Sequence, residues 1–499
     1  MNPKHIQQRA IKGGFWIFSL RTVGQLFNFI RLIVLARLLS PNDFGLMGIA
    51  LLSMMTLETF SETGFKTALI QNKKNIKNYL NSAWTVLILR GVILFAILYL
   101  IAPHAAVFFN APAAKPIIQI IALSILLHAF TNIGVVYFQK ELEFKKQFKY
   151  EFSGIFADFI VAISAALIFR NVWALVLGFV AGNAASLIMS YKLHDYRPKL
   201  DFNLSKAKEL WGFGKWILGS SILIFLFMQG DDIFVGKVLG VAALGFYQMA
   251  YKISNLPVTE ITHVISKITF PAYSKLQQNA RKLKVAYLKV LQITAFLSFP
   301  VAGAIFFLAE DFTLIFLTQK WMPIVPVIKV LILAGLCSSI GATAGPLFQS
   351  IGKPKISTKW QFIRLFVLIA LIYPLSSKFG ITGIAIAVLA SILVSTVAFS
   401  FMAIKVTKCT VRKFVKRIFF PFLGAFIMVS LLWMLKGLVA AATVPNFLLL
   451  AFCGAVSYVF AIYLCGLVFR YDIFSLLKDC IKSFDLFDKQ QAKYPFLPN

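Results

Sequence analysis

Acidic residues are scarce in this chain: 19 Asp and Glu stand against 50 Lys and Arg, giving a formal net charge of +31 over 499 residues. Charge of either sign is sparse, at 14% of residues, where a soluble domain carries about 25%. The 5 cysteines, Cys337, Cys409, Cys453, Cys465 and Cys480, include no Cys-x-x-Cys pair. They fall in apolar segments or on the side expected to be cytoplasmic, which excludes a disulfide framework and predicts reduced thiols. The 5 histidines, His5, His104, His128, His194 and His263, are scattered. No Gly-x-x-x-x-Gly-Lys phosphate loop, His-Glu-x-x-His helix or metal-spaced cysteine cluster occurs, so no ATPase, metal or cofactor is expected. A long polar stretch is also missing, which leaves no room for a separate soluble domain.

What fills the chain instead is hydrocarbon. Hydrophobic residues make up 59% and the mean hydropathy is +0.80. A membrane-spanning helix needs roughly 20 mainly apolar residues, and such runs recur about every 30 residues. The expected fold is an all-α polytopic membrane protein of about 14 transmembrane helices. The spans lie near 15–37, 44–65, 80–102, 117–138, 150–169, 172–191, 214–236, 241–265, 286–309, 323–348, 359–377, 380–403, 418–436 and 446–469.

The basic residues alternate between the two sides of these spans. With the N-terminus inside, roughly three quarters of the 50 Lys and Arg fall in the N-terminal segment, every second loop and the C-terminal tail. Both termini are therefore expected in the cytoplasm. The basic stretches, such as Lys408 to Arg417, read as topology signals beside anionic lipid head groups, and no nucleic-acid partner is expected. Met1 to Gly14 is polar and basic, and the apolar run after it contains Arg21 and Arg31 without a small-residue cleavage site, so it is expected to be retained.

A repeat is visible at an offset of 200. Ala36-Arg37-Leu38-Leu39 through Gly45 to Ala50 aligns with Gly236-Lys237-Val238-Leu239 through Gly245 to Ala250. A weaker echo at an offset of 210 relates Phe138-Gln139 to Phe348-Gln349. Parallel repeats predict two six-helix lobes, 1–191 and 214–404, joined by a cytoplasmic linker over 192–213. Two further helices (405–470) and a cytoplasmic tail (471–499) follow.

Three blocks carry a family resemblance: Val34-Leu35-Ala36-Arg37-Leu38-Leu39-Ser40-Pro41-Asn42-Asp43-Phe44-Gly45-Leu46; Gly245-Phe246-Tyr247-Gln248-Met249-Ala250-Tyr251 with Phe270-Pro271-Ala272-Tyr273-Ser274; and Lys320-Trp321-Met322-Pro323 with Pro346-Leu347-Phe348-Gln349 and Gly352-Lys353-Pro354. Together they resemble the oligosaccharide flippases, in particular the colanic-acid and teichuronic-acid exporter branch, over roughly residues 10 to 440. That family belongs to the multidrug/oligosaccharidyl-lipid/polysaccharide exporter superfamily. The resemblance implies two lobes in a V, alternating access, and a cargo of oligosaccharide on undecaprenyl diphosphate, moved outward for lipopolysaccharide or exopolysaccharide assembly in a bacterial inner membrane. The implied partners are the lipid-linked oligosaccharide, membrane lipids, and a polysaccharide polymerase or other envelope-assembly proteins.

A charge at the bilayer centre costs about 2.5–3.5 kcal/mol on insertion scales, so each needs a partner, water or a function. On the first span Arg21, Gly24, Gln25, Asn28 and Arg31 fall within about 120° of one another at 100° per residue. This face either binds neighbouring helices or lines a cavity. Arg90 lies near the middle of the third span, and Lys252 near the centre of the eighth. Arg21, Gln25, Asn28, Arg31, Arg90 and Lys252 are the candidate substrate-binding residues, the arginines for the anionic diphosphate. Glu58, at a depth matching Arg21, and Asp231 and Asp232 in the seventh span are candidates for gating or coupling. The offset of 200 maps Arg31 onto Asp231, so an interlobe Arg31–Asp231 or Arg31–Asp232 pair is expected when the outer mouth closes.

Two other function classes remain. A cation-coupled drug or metabolite antiporter of the same superfamily would share the lobes, but the cationic first span argues against it. A membrane polymerase or ligase needs a sizeable external loop, and every outer loop here is short, so no enzyme is expected.

Overall fold

The computed structural model describes residues 3–61, 77–201, 221–222, 224–438, 443–469, 471 and 473. Among them the secondary structure is helical throughout. In chain order the helices are α1 (Pro3–Leu38), α2 (Pro41–Phe60), α3 (Lys77–Phe108), α4 (Ala114–Ala129), α5 (Val136–Lys140), α6 (Phe144–Phe169) and α7 (Trp173–Leu193), then a helical stretch over 224–234. They continue as α8 (Val241–Leu276), α9 (Ala280–Phe312), α10 (Ile324–Ala342), α11 (Ala344–Ser350), α12 (Lys355–Thr407), α13 (Val411–Leu438) and α14 (Val444–Phe469).

Among the described residues 10 helices are long and apolar enough to cross a membrane, and 11 if α4 and the bent segment Ile133–Lys140 count as one. Several of the expected spans are accounted for differently. The eleventh and twelfth both lie in α12, which breaks at Gly380, where φ is 56° and a Cβ would be strained. The seventh falls partly on 214–220, outside the described residues. The eighth lies in α8, 36 residues long but not among the ten.

The described residues divide into two compact units, the first ending at Gly245 and the second beginning at Phe246. The expected 192–213 linker lies largely outside the described residues. In the first unit, Ser40 caps α2 in a reciprocal capping box with Asp43, and Pro41 opens the helix, so the Ser-Pro-Asn-Asp sequence fixes where α1 stops and α2 begins. The two glycines that the offset of 200 aligned meet the opposite helix starts. A Cβ on Gly45 would sit 1.9 Å from the Val241 carbonyl oxygen, and one on Gly245 would sit 1.9 Å from that of Pro41. Since 41 and 241 are themselves repeat-equivalent, the contact is reciprocal, as between symmetry-related elements.

The α6–α7 pair is the tightest packing in this unit. Gly178, Gly182 and Ser186 repeat every four residues on α7, and a Cβ on Gly154 of α6 would fall 2.2 Å from Ser186 Oγ and 3.0 Å from the Gly182 carbonyl. In lipid no hydrophobic force drives helices together, so small residues that admit close backbone approach do that work. In the second unit, α9, α13 and α14 share a core of Phe299, Phe420, Met428, Leu432, Tyr458 and Ile462. Lys436 Nζ on α13 donates to Asp311 Oδ2 on α9 at 2.8 Å, and Arg417 donates to Gln292, so both ends of the added helix α13 are tied to α9.

Candidate functional site

The polar face expected on the first span exists, and it lines a cavity. About 540 Å³ of space opens between α1 and α6, with Gln139 of α5 also in its wall. Helix α1 contributes Leu20, Arg21, Gly24, Gln25 and Asn28, and α6 contributes Phe144, Gln147, Glu151 and Ile155. The helices approach closely because a Cβ on Gly24 would already stand 3.1 Å from Ile155 Cδ1. Gln147 Nε2 donates to Glu151 Oε1 at 2.8 Å, one turn along α6. Gln147 Oε1 is buried and accepts no hydrogen bond among the described residues.

Arg31 continues the same α1 face beyond the cavity wall. Its Nη2 donates to Asp158 Oδ1 on α6 at 2.8 Å, with side-chain exposures of 17% and 19%. Asp158 has room to do so because α7 offers Gly178 and Gly182 there: a Cβ on Gly178 would lie 2.6 Å from Asp158 Oδ1. Arg31 thus has a partner inside its own unit, on α6.

Arg90 is placed elsewhere. Its Nε donates to the Ser61 carbonyl at 2.8 Å, and its Nη2 to the Glu58 carbonyl at 2.8 Å and to Ser61 Oγ at 2.9 Å. The guanidinium therefore caps the C-terminal end of α2, where helix carbonyls lack intrahelical donors and the helix dipole favours a cation. Glu58 enters this contact through its backbone. Asp231, buried at 6% exposure, accepts the Asp232 N–H at 3.1 Å, and both lie in the 224–234 helix. Lys252 is exposed on α8, in the second unit.

The structure thus brings Arg21, Gln25 and Asn28 together in one cavity wall, with Arg31 next along the face. Sequence reasoning missed the opposite wall. Gln147, Glu151 and Asp158 fall within about 40° of one another at 100° per residue, a polar stripe as legible as the one on α1. Glu151 and Asp158 lie within the expected span of 150–169, and only Gln147 falls before it, in the first turns of α6, which begins at Phe144.

A pinned strap crosses one end of the first unit. After α7, Asn132 Nδ2 donates to the Tyr196 carbonyl at 2.6 Å, Tyr196 Oη donates to Asn81 Oδ1 at 2.6 Å, and the Lys199 N–H donates to the same oxygen at 3.0 Å. His194 stacks on Tyr137 with ring centroids 5.5 Å apart, and its Nδ1 accepts the Tyr196 N–H at 3.0 Å.

Comparison with known proteins places this architecture. The sequence profile of the family described as "Polysaccharide biosynthesis protein" matches residues 34–326. The chain is 25% identical over 424 residues to the lipopolysaccharide biosynthesis protein WzxC of Escherichia coli (strain K12), covering 84% of this chain and 85% of that one. It is 22% identical over 337 residues to the succinoglycan biosynthesis transport protein ExoT of Rhizobium meliloti (strain 1021), covering 68% of each. Among solved structures, the lipid II flippase MurJ in an inward closed conformation superposes with a TM-score of 0.73 at 15% identity, over 92% of this chain and 99% of that one. An inward-facing multidrug resistance transporter of the MATE family gives 0.58 at 17% identity, over 77% and 95%. At these identities the solved structures establish the fold alone, that of a multi-pass helical membrane protein.

Proposed function

The chain belongs to the polysaccharide biosynthesis protein family, and from that premise we propose that it is a flippase for a lipid-linked oligosaccharide, moving it from the cytoplasmic to the outer leaflet of a bacterial inner membrane by alternating access. The observation that carries this reading is the polar cavity between α1 and α6. Amide and charged side chains in a span cost free energy unless they meet a partner, water or a polar cargo. A protein whose only task was to hold helices together would have no use for an open cavity there. The relatives' names, lipopolysaccharide biosynthesis protein and succinoglycan biosynthesis transport protein, support a glycan cargo. An undecaprenyl diphosphate carrier, cytoplasmic termini and a polymerase acting next in the pathway complete the reading.

Flipping needs no covalent chemistry. The inside-negative potential favours outward movement of an anion by about 2.3 kcal/mol per charge per 100 mV, so a dianionic diphosphate headgroup supplies part of its own driving force. The test is depletion of the protein in its host. Lipid-linked repeat units should accumulate on the inner leaflet while surface polysaccharide falls, and an unchanged leaflet distribution would remove the reading. Efflux of small organic cations in place of this effect would instead support an antiporter.

A further inference from the structure

We infer that the α1–α6 cavity holds the saccharide part of the cargo and excludes its diphosphate. The inference rests on the flippase reading and assigns the chemistry of that reading's site. Its basis is the inventory of the wall. Arg21 and Glu151 cancel in formal charge, and the remaining polar groups are the amides of Gln25, Asn28, Gln139 and Gln147. The arginine next along the face, Arg31, is held by Asp158 at 2.8 Å.

A phosphate oxygen accepts hydrogen bonds and donates none. In this cavity it would meet the Glu151 carboxylate and the amide oxygens as like poles, and Arg21 alone would face a dianion. A sugar hydroxyl both donates and accepts. It can give its proton to Glu151 or an amide oxygen while taking one from an amide NH₂ or a guanidinium, so every group in the wall is usable. Glu151 with Gln147, and Gln25 with Asn28, each present polar groups a turn or less apart, a spacing suited to neighbouring hydroxyls on one ring. The volume of about 540 Å³ lies in the ordinary range of small-molecule sites, about 300–1,000 Å³, and suits a short sugar chain. The diphosphate then stays outside the cavity, at the basic inner end of α6, where Lys145, Lys146 and Lys149 follow one another on an exposed turn.

The test uses the full chain in lipid nanodiscs and two soluble probes. One is the oligosaccharide released by mild acid from the host's own lipid-linked pool, followed by saturation-transfer NMR. The other is inorganic pyrophosphate, followed by phosphorus line broadening. The oligosaccharide should bind, pyrophosphate should not displace it, and Glu151→Gln should weaken it roughly tenfold or more, the loss expected for a hydrogen bond to a charged group. Because a glutamine can still accept from Gln147, that variant keeps the wall's internal bond, and thermal unfolding checks that it folds. Pyrophosphate displacing the oligosaccharide from the parent protein would overturn the inference, as would no oligosaccharide binding at all. In each of those cases the depletion experiment still decides the flippase reading by itself.

Discussion

Replacing Asp158 by leucine should destabilise the protein severely, because it leaves Arg31 charged and enclosed. The pair is short, at 2.8 Å, and both side chains are more than four fifths covered. Removing one partner of such a pair typically costs about 3–5 kcal/mol, since the remaining charge keeps its desolvation penalty without its attraction. Asp158→Asn should cost less, because an amide oxygen can still accept from Nη2. Gly178→Ala should reproduce part of the loss by driving a methyl to 2.6 Å from Asp158 Oδ1. Replacing both partners, Arg31→Met with Asp158→Leu, should recover stability to within about 1 kcal/mol of the parent, because neither charge then needs a partner. The assay is reversible unfolding in mixed micelles, read as a double-mutant cycle in which the double variant loses far less than the sum of the two single losses. A cost below about 1 kcal/mol for Asp158→Leu, or a larger coupling of Arg31 to Asp231, would refute this pairing and favour the outer gate between Arg31 and Asp231.

Arg90→Gln should lower the unfolding temperature, with Arg90→Lys nearly as harmful because a single ammonium cannot span the Glu58 and Ser61 carbonyls, while transport per folded molecule stays unchanged. Burial first, then Lys146, holds the His194 pKa below 6.5 against the opposing pull of Asp195, Glu143 and Glu141. The released strap therefore takes up the proton more readily. Its contribution is complete above pH 6.5 and is lost as pH falls through 6.5 toward the lowered folded value. Proteolysis of 194–201 should accelerate over that window, and His194→Gln should abolish the pH dependence. Reporter fusions after Lys208 and Lys482 should both read cytoplasmic, and an external signal at either would reverse the topology drawn from the basic residues.

The sequence made the architecture legible wherever the signal was local. Apolar run length marked the spans, Ser40-Pro41-Asn42-Asp43 marked the α1–α2 junction, and the offset of 200 found Gly45 and Gly245, which meet each other's repeat-equivalent neighbours in space. The polar face of α1 was readable for the same reason, since Arg21, Gly24, Gln25, Asn28 and Arg31 recur at helical spacing within one segment. The stripe on α6 has the same local periodicity, but its pairing with α1 was not readable, because nothing local connects Arg31 to Asp158, 127 positions away. Arg90 shows the opposite limit. An arginine in mid-span reads as a candidate for an anionic cargo, and only the structure shows that a neighbouring helix end needs the same donors.

Passage of the glycolipid's sugars along the α1–α6 cavity is the step on which the proposed function turns. It is tested most directly by reconstituting the purified protein in liposomes loaded on one leaflet with the host's lipid-linked repeat unit. A membrane-impermeant oxidant of vicinal diols then reports the sugars that reach the other leaflet. Transfer is expected with the parent protein, and should fall to the protein-free rate with Arg21→Gln or Glu151→Gln in protein that remains folded. Transfer at the parent rate by both folded variants, or none by the parent, would contradict it.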